Sequence, residues 1–333
     1  MCDSREYDAF TTKFKYFKSK TKKPSFKDVL SNNGDCTTGL SIVSNNVIDN
    51  KLTHYLGLKP YSDWKLYKLE ANPGLLFIKN PFTALGQRFW IRKCLEIYPR
   101  KPHKMNLDIE MEVKDWWAQC HKNEVSDKVL RKKLRWTTLG YHHNWDTKVY
   151  SEENRTEFPK ELAELTDIIA EYLGYKQYKS EAAIVNYYHM GSTLSAHTDH
   201  SEIDLEAPLF SFSFGQSAIF LIGGTDKSVD PSAILLESGD IVIMSKEARL
   251  CYHAVPKILP AASSPWNKQD ELYPIHIDES DLELPDSYEE IAKEINLNCE
   301  SKEWDNFESY ISESRINVNV RQVLKKDQNK LYS

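Results

Sequence analysis

The chain has 333 residues, 41% apolar and 28% charged, with a formal net charge of −6. That is the composition of a globular protein large enough for a sizeable core, and so mild a charge carries no global sign of nucleic-acid binding. No apolar run approaches the ~18 residues of a membrane span, and the N-terminus lacks the apolar core of a secretory signal. Six cysteines, at 2, 36, 94, 120, 251 and 299, show no framework spacing and favour reduced thiols in a reducing compartment. The charge is unevenly spread: residues 269–313 hold fifteen Asp/Glu against Lys293 and Lys302, whereas 13–27 and 88–135 are locally basic.

Tyr7, Phe10, Phe14 and Phe17 fall at helical spacing and predict a short amphipathic helix over 7–19, docked on a larger body. The basic run Lys18–Lys23 reads as a solvated helix end, with a nuclear address or phosphate patch as the alternative. Residues 31–62 read as irregular and Leu75–Ile78 as a strand. Asn80-Pro81 offers an N-cap and first-turn proline for a helix through Tyr98. Residues 105–133 read as helical pieces ending in Arg131-Lys132-Lys133. Leu162, Leu165, Ile168, Ile169 and Leu173 make the apolar stripe of a helix over 159–173, with Gly174 just past its end.

The texture then changes. Ala182–His189, Leu209–Phe214, Ala218–Leu221, Ala233–Glu237, Asp240–Ser245 and Cys251–Val255 are short apolar or alternating runs separated by turn residues, the pattern of a β barrel or sandwich. An acidic, partly helical insertion spans 260–312. Beyond it Arg315, Asn317, Asn319 and Arg321 alternate with Ile316, Val318 and Val320. Taken alone, the polar face of that segment reads as a solvated edge. The alternative is a barrel interior, where an arginine fork grips a small carboxylate with two hydrogen bonds.

His197-Thr-Asp199 places an imidazole and a carboxylate two residues apart. On an extended segment both point to one side and can reach one metal ion. His253, in Arg249-Leu-Cys-Tyr-His-Ala-Val-Pro256, is the third candidate, although a lone histidine in an apolar run reads first as a satisfied core residue. A His-x-Asp pair, a distant His on a later strand and an Arg-bearing strand after it together have the form of a 2-His-1-carboxylate triad, which holds Fe(II) and leaves positions open.

Asn186-Tyr-Tyr188, His197-Thr-Asp199, Ser238-Gly-Asp240, His253 and Arg315-Ile-Asn-Val-Asn-Val-Arg321 follow one another in this order. With them the chain resembles the AlkB family of Fe(II)- and 2-oxoglutarate-dependent nucleic-acid dioxygenases. Leu134-Arg-Trp-Thr-Thr-Leu-Gly-Tyr-His-His-Asn-Trp-Asp146, Phe210-Ser-Phe-Ser-Phe-Gly-Gln-Ser-Ala-Ile-Phe-Leu221 and His253-Ala-Val-Pro256 make it similar to the AlkB homolog 1 branch in particular. The resemblance is strong over 134–259 and at 315–324, and thin before residue 70 and across the acidic insertion.

The resemblance implies an α+β fold: a double-stranded β-helix (jelly-roll) barrel with flanking helices and an N-terminal nucleotide-recognition lid. The chain then divides into an extension (1–70), a helical and lid region (71–175) and the catalytic barrel with its insertion (176–333). His197, Asp199 and His253 would bind iron and carry catalysis. The cosubstrates would be 2-oxoglutarate and O2, with Arg315 on the far carboxylate of 2-oxoglutarate. Asn186 and Tyr188 would hydrogen-bond it, and Asn317 and Arg321 would support it. The family's arginine strand commonly has Thr where this chain has Asn319, a departure expected to tune the site.

On the substrate side, Trp136, Tyr141, His142, His143 and Trp145 lie where the family's lid sits. Tyr141 to His143 would contact a base taken out of its stack, and Trp117 would form a second wall. The plain reading of each aromatic is core packing. Arg88, Arg92, Lys93, Arg100, Lys101, Lys104 and Arg131–Arg135 would track phosphates, Lys227 would reach in from a hairpin, and Glu202 would position substrate. The implied activity is oxidation or demethylation of methylated bases in tRNA or DNA, releasing succinate, CO2 and formaldehyde. Candidate bases are N1-methyladenine, 5-methylcytosine and N6-methyladenine. The alternatives are a protein hydroxylase on the same barrel and an abasic-site lyase, for which no lysine stands out. The expected partner is nucleic acid rather than membrane, the chain is expected to be a monomer, and its compartment nuclear and/or cytoplasmic, with mitochondria as an alternative.

Overall fold

The alternating segment near the C-terminal end is a central strand. In the computed structural model, which describes residues 7–31, 39–45, 50–122, 126–277, 284–297 and 304–331, the strands are β1 (Leu40–Ile42), β2 (Lys65–Leu69), β3 (Leu75–Lys79), β4 (Lys104–Met105), β5 (Trp136–Gly140), β6 (Ala182–His189), β7 (Leu194–His197), β8 (Leu209–Gly215), β9 (Ser217–Ile222), β10 (Ser232–Leu236), β11 (Ile241–Met244), β12 (His253–Leu259) and β13 (Ser314–Arg321). The α-helices are α1 (Ala9–Lys18), α2 (Ala84–Arg92), α3 (Trp116–Cys120), α4 (Lys128–Lys133), α5 (Lys160–Tyr172), α6 (Asp286–Asn296) and α7 (Trp304–Ile311). A nine-stranded sheet runs β1-β2-β3-β11-β8-β13-β6-β5-β4, and a four-stranded sheet runs β10-β9-β12-β7. Strands β6 to β13 contribute four to each sheet, which is the jelly roll. Among the described residues, no helix is long and apolar enough to cross a membrane.

The period-2 pattern explains why β13 sits where it does. Ile316, Val318 and Val320 point to the outer face of the large sheet, beside Phe210, Phe212 and Phe214 of β8 and Ile241 and Ile243 of β11. Helices α2, α3, α5, α6 and α7 cover this face with Phe89, Trp90, Trp116, Ile169, Ile295 and Phe307. Each such side chain, fully buried, contributes about 1.5–3 kcal/mol. The opposite face of β13 therefore turns into the barrel, and with it go Arg315, Asn317, Asn319 and Arg321. The solvated-edge reading fails because β13 is hydrogen-bonded on both sides, to β6 and to β8.

Several local expectations are corrected. The helix expected from Asn80 starts at Ala84, capped by Thr83, whose Oγ1 accepts from the Gly86 amide at 3.0 Å. Asn80 is instead drawn into the turn before it: its side-chain carbonyl accepts from Gln87 and its amide donates to Asp240. Strands β2 and β5 were not expected, nor was β1 in the stretch read as irregular. Together with β3 and β4 they continue the large sheet, so the boundaries at 70 and 175 do not separate units of this sheet. Cys94, Cys120 and Cys251 are buried free thiols. Cys2, Cys36 and Cys299 lie outside the described residues, as do 278–283 and 298–303 of the acidic insertion.

The described part of that insertion is seated by apolar stripes. Tyr288, Ile291, Ala292 and Ile295 of α6 and Trp304, Phe307, Tyr310 and Ile311 of α7 are buried. Its acidic face then meets the basic stretch that begins at Arg88. Glu294 pairs with Lys93 at 2.6 Å, and Arg88 lies over the Trp304 ring at 4.7 Å. One ion pair and one cation–π contact thus join two segments far apart in sequence.

Helix α1 closes the outer face of the small sheet. Asp8 caps it, and Phe10, Phe14 and Phe17 pack with Val29 against Ile219, Leu221, Ala233 and Ala254. Phe10→Ala should cost about 3–5 kcal/mol by urea unfolding and expose Lys13 and Lys15 to trypsin. Unchanged stability together with unchanged cleavage would show that α1 is not docked.

Candidate active site

His197 ends β7, and Asp199 follows in the loop to β8. His253 opens β12, directly opposite His197 in the β12–β7 pair. Ligand atoms of the three lie within 4.8 Å of one another. The Asp199 carboxylate stands 3.9 Å from Nε2 of His197 and 3.7 Å from Nε2 of His253. In each ring Nδ1 faces a backbone carbonyl, that of Ser195 at 2.9 Å for His197 and that of Cys251 at 3.1 Å for His253. A nitrogen facing a carbonyl must donate, so the neutral rings carry hydrogen on Nδ1 and turn the Nε2 lone pair inward.

The charge states suit the same purpose. Burial, with His197 nearby, pulls the His253 pKa down to about 4, so the imidazole is neutral at pH 7. Burial would raise the Asp199 carboxyl, but Arg321 and the two histidines more than reverse this and hold it well below the usual range. Arg321 Nη2 lies 3.0 Å from Asp199 Oδ2.

Two chambers meet at this cluster. The inner one lies between the sheets and is lined by Tyr188, Leu209, Ser211, Phe220, Met244, Arg315 and Asn317, among others. The outer one is lined by His143, Trp145, Lys148, Asn186, Tyr252 and Arg321. Leu194, His197, Asp199 and Asn319 line both. The register of β6 and β13 sets Tyr188 opposite Arg315 and Asn186 opposite Asn317, which puts all four side chains on the barrel side.

Arg315 is fully buried. Its Nη2 donates to Ser213 Oγ at 2.8 Å, while Nε and Nη1 are buried without a hydrogen-bond partner. A buried guanidinium with two idle donors is costly unless an anion satisfies them, and desolvation pulls its pKa down to about 10. Asn317 donates to Ser211 Oγ (2.8 Å) and to the Phe212 carbonyl (3.0 Å), and Asn319 donates to Asn317. Ser211 and Ser213 were missed as site residues. The signal was the Phe-Ser-Phe-Ser-Phe alternation of β8, whose serines share the inner face while the phenylalanines take the outer one.

The substrate-side expectations separate. Trp117 is a core residue, stacked on Phe307 at 4.6 Å and 7°. Tyr141 is buried; its hydroxyl donates to Glu152 at 2.6 Å, and Arg155 covers its ring at 4.4 Å. His142 is buried between the hydroxyls of Thr138 and Thr156, at 2.8 and 3.2 Å. None of these three lines either chamber. Only His143 of that run does, in edge contact with Trp145 at 4.7 Å, and Trp136 backs Trp145 at 5.2 Å without lining the chamber. Glu202 lines the outer chamber, and it is buried and engaged by Arg249 and Arg321.

Most of the basic stretch is committed locally. Arg88 donates to the Trp266 carbonyl, Arg92 pairs with Glu96, Arg100 with Asp115 and Lys101 with Asp108, Lys104 donates to Asn154, and Arg131 is buried over Tyr310. Lys132, Lys133 and Arg135 remain exposed next to Trp136. Lys227 lies 5.3 Å over Tyr252, which lines the outer chamber.

Two imidazoles and a carboxylate around one point are donors for a divalent transition ion, and the idle nitrogens of Arg315 match a small carboxylate. The residues present therefore fit Fe(II) and 2-oxoglutarate. Residues 74–321 match the 2OG-Fe(II) oxygenase superfamily. The chain is 41% identical over 283 residues to "Nucleic acid dioxygenase ALKBH1" of Homo sapiens, covering 82% of this chain and 70% of that protein. It is 32% identical over 280 residues to "tRNA demethylase abh1" of Schizosaccharomyces pombe, covering 78% and 82%. To "DNA N(6)-methyladenine demethylase ALKBH1A" of Arabidopsis thaliana it is 30% identical over 293 residues, covering 78% and 77%. A solved chain described as "The structure of OsALKBH1" aligns at TM-score 0.44 and 18% identity, over 75% of this chain and 97% of that one. The family match and the curated relatives, together with the ordered triad, place the chain in the 2OG-Fe(II) oxygenase superfamily, as a member of the AlkB homolog 1 branch of the AlkB family.

Proposed function

We propose that this dioxygenase oxidatively demethylates methylated bases in tRNA or DNA, on single-stranded or flipped-out nucleotides, and that it acts as a monomer. The observation that carries the reading is the placement of the triad at the junction of two unlike chambers. One is closed, with an arginine that lacks an anion; the other is open, with aromatic walls and lysines nearby.

When bound, Fe(II) with 2-oxoglutarate and O2 supplies the oxidation of a methyl C–H bond. His197, Asp199 and His253 would hold the metal, and the hydrogen bonds at the Nδ1 of each histidine fix which nitrogen that ring would offer. Arg315, held by Ser213 and with Nε and Nη1 buried without partners, would take the far carboxylate of 2-oxoglutarate. Tyr188 and Asn317 line the same chamber, and Asn186 and Arg321, which line the outer one, would support the cosubstrate from that side. His143 and Trp145 form the wall against which a base stacks. His143 is held neutral, its pKa pulled to about 4 by burial and then by Arg321, so it presents no positive charge to a cationic methylated base. A hydroxylated N-methyl group leaves as formaldehyde and frees the base.

The test is incubation with methylated tRNA and with single-stranded and duplex DNA carrying the candidate bases, read as formaldehyde, succinate and base composition. Succinate release without a change in any base across the panel would overturn the reading. Lys132, Lys133 and Arg135, exposed and close in sequence to Trp136, are the proposed phosphate contacts. The double variant Lys132→Glu, Arg135→Glu should weaken oligonucleotide binding and lower the slope of log K against log salt by about 2. An unchanged slope would remove them from the interface.

A further inference from the structure

Eight positions after β7 begins, the chain buries a second carboxylate. Glu202 lies in the loop that carries Asp199, and its side chain is 1% exposed; Arg249, at 2%, lies just before His253. Arg249 spends all three guanidinium nitrogens on that loop. Nη1 donates to the Asp199 carbonyl at 2.7 Å, Nη2 meets Glu202 Oε2 at 2.9 Å, and Nε donates to the Ala207 carbonyl at 3.1 Å. The other oxygen of Glu202 accepts from the Tyr150 hydroxyl at 3.1 Å and stands 3.4 Å from Nε of Arg321. Arg321 in turn holds the Asp199 carboxylate.

We propose that Glu202 and Arg249 are positioning residues that set the metal affinity of the site, by fixing the Asp199 loop and by balancing the charge around it. The first half follows from geometry. Asp199 lies in a loop rather than a strand, so the sheet ladder does not hold it. Arg249 ties that loop at residues 199, 202 and 207 to the turn that leads into His253. The clamp therefore fixes the distance between Asp199 in its loop and His253 at the start of β12.

The second half follows from charge. Arg321 and Arg249 are both buried, and Asp199 and Glu202 are their two carboxylates. Without Glu202, two guanidinium groups would crowd one ligand carboxylate, beside the point where a dication must bind. With it, Arg249 is neutralised and Arg321 is shared, so Asp199 keeps its charge for the metal. Residues that orient metal ligands from behind typically change affinity by about 10–100-fold when replaced.

The inference rests on His197, Asp199 and His253 being the metal ligands, and the experiment keeps the two apart. Mn(II), which is redox-silent, is titrated into the metal-free full chain and followed by the loss of its free-ion electron paramagnetic resonance signal. Wild type is compared with Glu202→Gln, Arg249→Lys and the neutral pair Glu202→Gln, Arg249→Met. Glu202→Gln keeps shape and removes charge; Arg249→Lys keeps charge and removes the three-point clamp. The double variant removes both charges together, so the fold survives even where a single change leaves one charge stranded. Each folded variant should bind Mn(II) about 10–100-fold more weakly than wild type, with an altered Co(II) visible spectrum showing that the ligand geometry has moved. Folded variants that bind Mn(II) within twofold of wild type, with an unchanged Co(II) spectrum, would overturn the proposal while leaving the triad intact. Wild type that binds no Mn(II), or Asp199→Ala that binds it equally well, would overturn the ligand assignment beneath it.

Discussion

Asp199→Asn should reduce base demethylation by more than about three orders of magnitude while the protein still folds. The replacement keeps the volume of the side chain and an oxygen that can accept from Arg321, so the buried guanidinium is not left unpartnered. What it removes is the single negative charge among the three ligands. Two imidazoles and an amide, with no anionic ligand among them, make a weaker site for a divalent ion. The measurement is formaldehyde release and retained iron after desalting, with a thermal melt to confirm the fold. Activity within tenfold of wild type would take Asp199 out of the metal site. His253→Ala should give the same loss of turnover, because its Nε2 has no substitute nearby.

Arg315→Met should act in two opposite directions. In the metal-free protein it removes a buried cation with two idle nitrogens, each costing about 1–3 kcal/mol. Part of that gain is offset by the stranded Ser213 hydroxyl, and a net rise in melting temperature of about 2 °C is expected. With 2-oxoglutarate the sign reverses. Losing one partner of a buried charge pair costs about 2–5 kcal/mol, which raises the KM for 2-oxoglutarate about thirty- to several-thousandfold. A thermal-shift series with and without 2-oxoglutarate and Mn(II) reads both effects: wild type should gain stability on addition and the variant should not. A variant that is less stable when empty would show that Arg315 serves the fold rather than the ligand.

The sequence was most informative where period and chemistry coincided. In β13 a strict alternation sorted Ile316, Val318 and Val320 from Arg315, Asn317, Asn319 and Arg321, and both faces are used as sorted. Alternation could not say which face was inside, because that depends on the α2–α7 layer covering the apolar side. The candidate triad was legible for a similar reason: His197 and Asp199 are close in sequence, and only His253 had to be found at a distance.

The lid was less legible. Tyr141, His142 and His143 are adjacent and chemically alike, yet Glu152, Arg155, Thr138 and Thr156 claim the first two for local hydrogen bonding. Nothing in the run itself distinguishes the residue that faces the chamber. The basic stretch misled in the same way: Arg92, Arg100 and Lys101 are claimed by Glu96, Asp115 and Asp108 close by, and Lys93 and Arg88 by Glu294 and Trp304 some two hundred residues downstream. Glu202 and Arg249 stood within motifs already noted, but pairing them required the loop and the turn to be brought together in space.

The inner chamber has one further consequence, for the order of events. Its far wall is made by Leu209, Leu236, Val242 and Met244, in one apolar cluster with Leu69, Leu75 and Phe77. Among the described residues, those it shares with the outer chamber mark a route between the two. A nucleic-acid strand seated in the outer chamber would stand across that route like a door. The small acid would therefore board first and its spent form leave last, so turnover would be compulsory-ordered, and a tightly held product strand would throttle the enzyme by trapping succinate behind it.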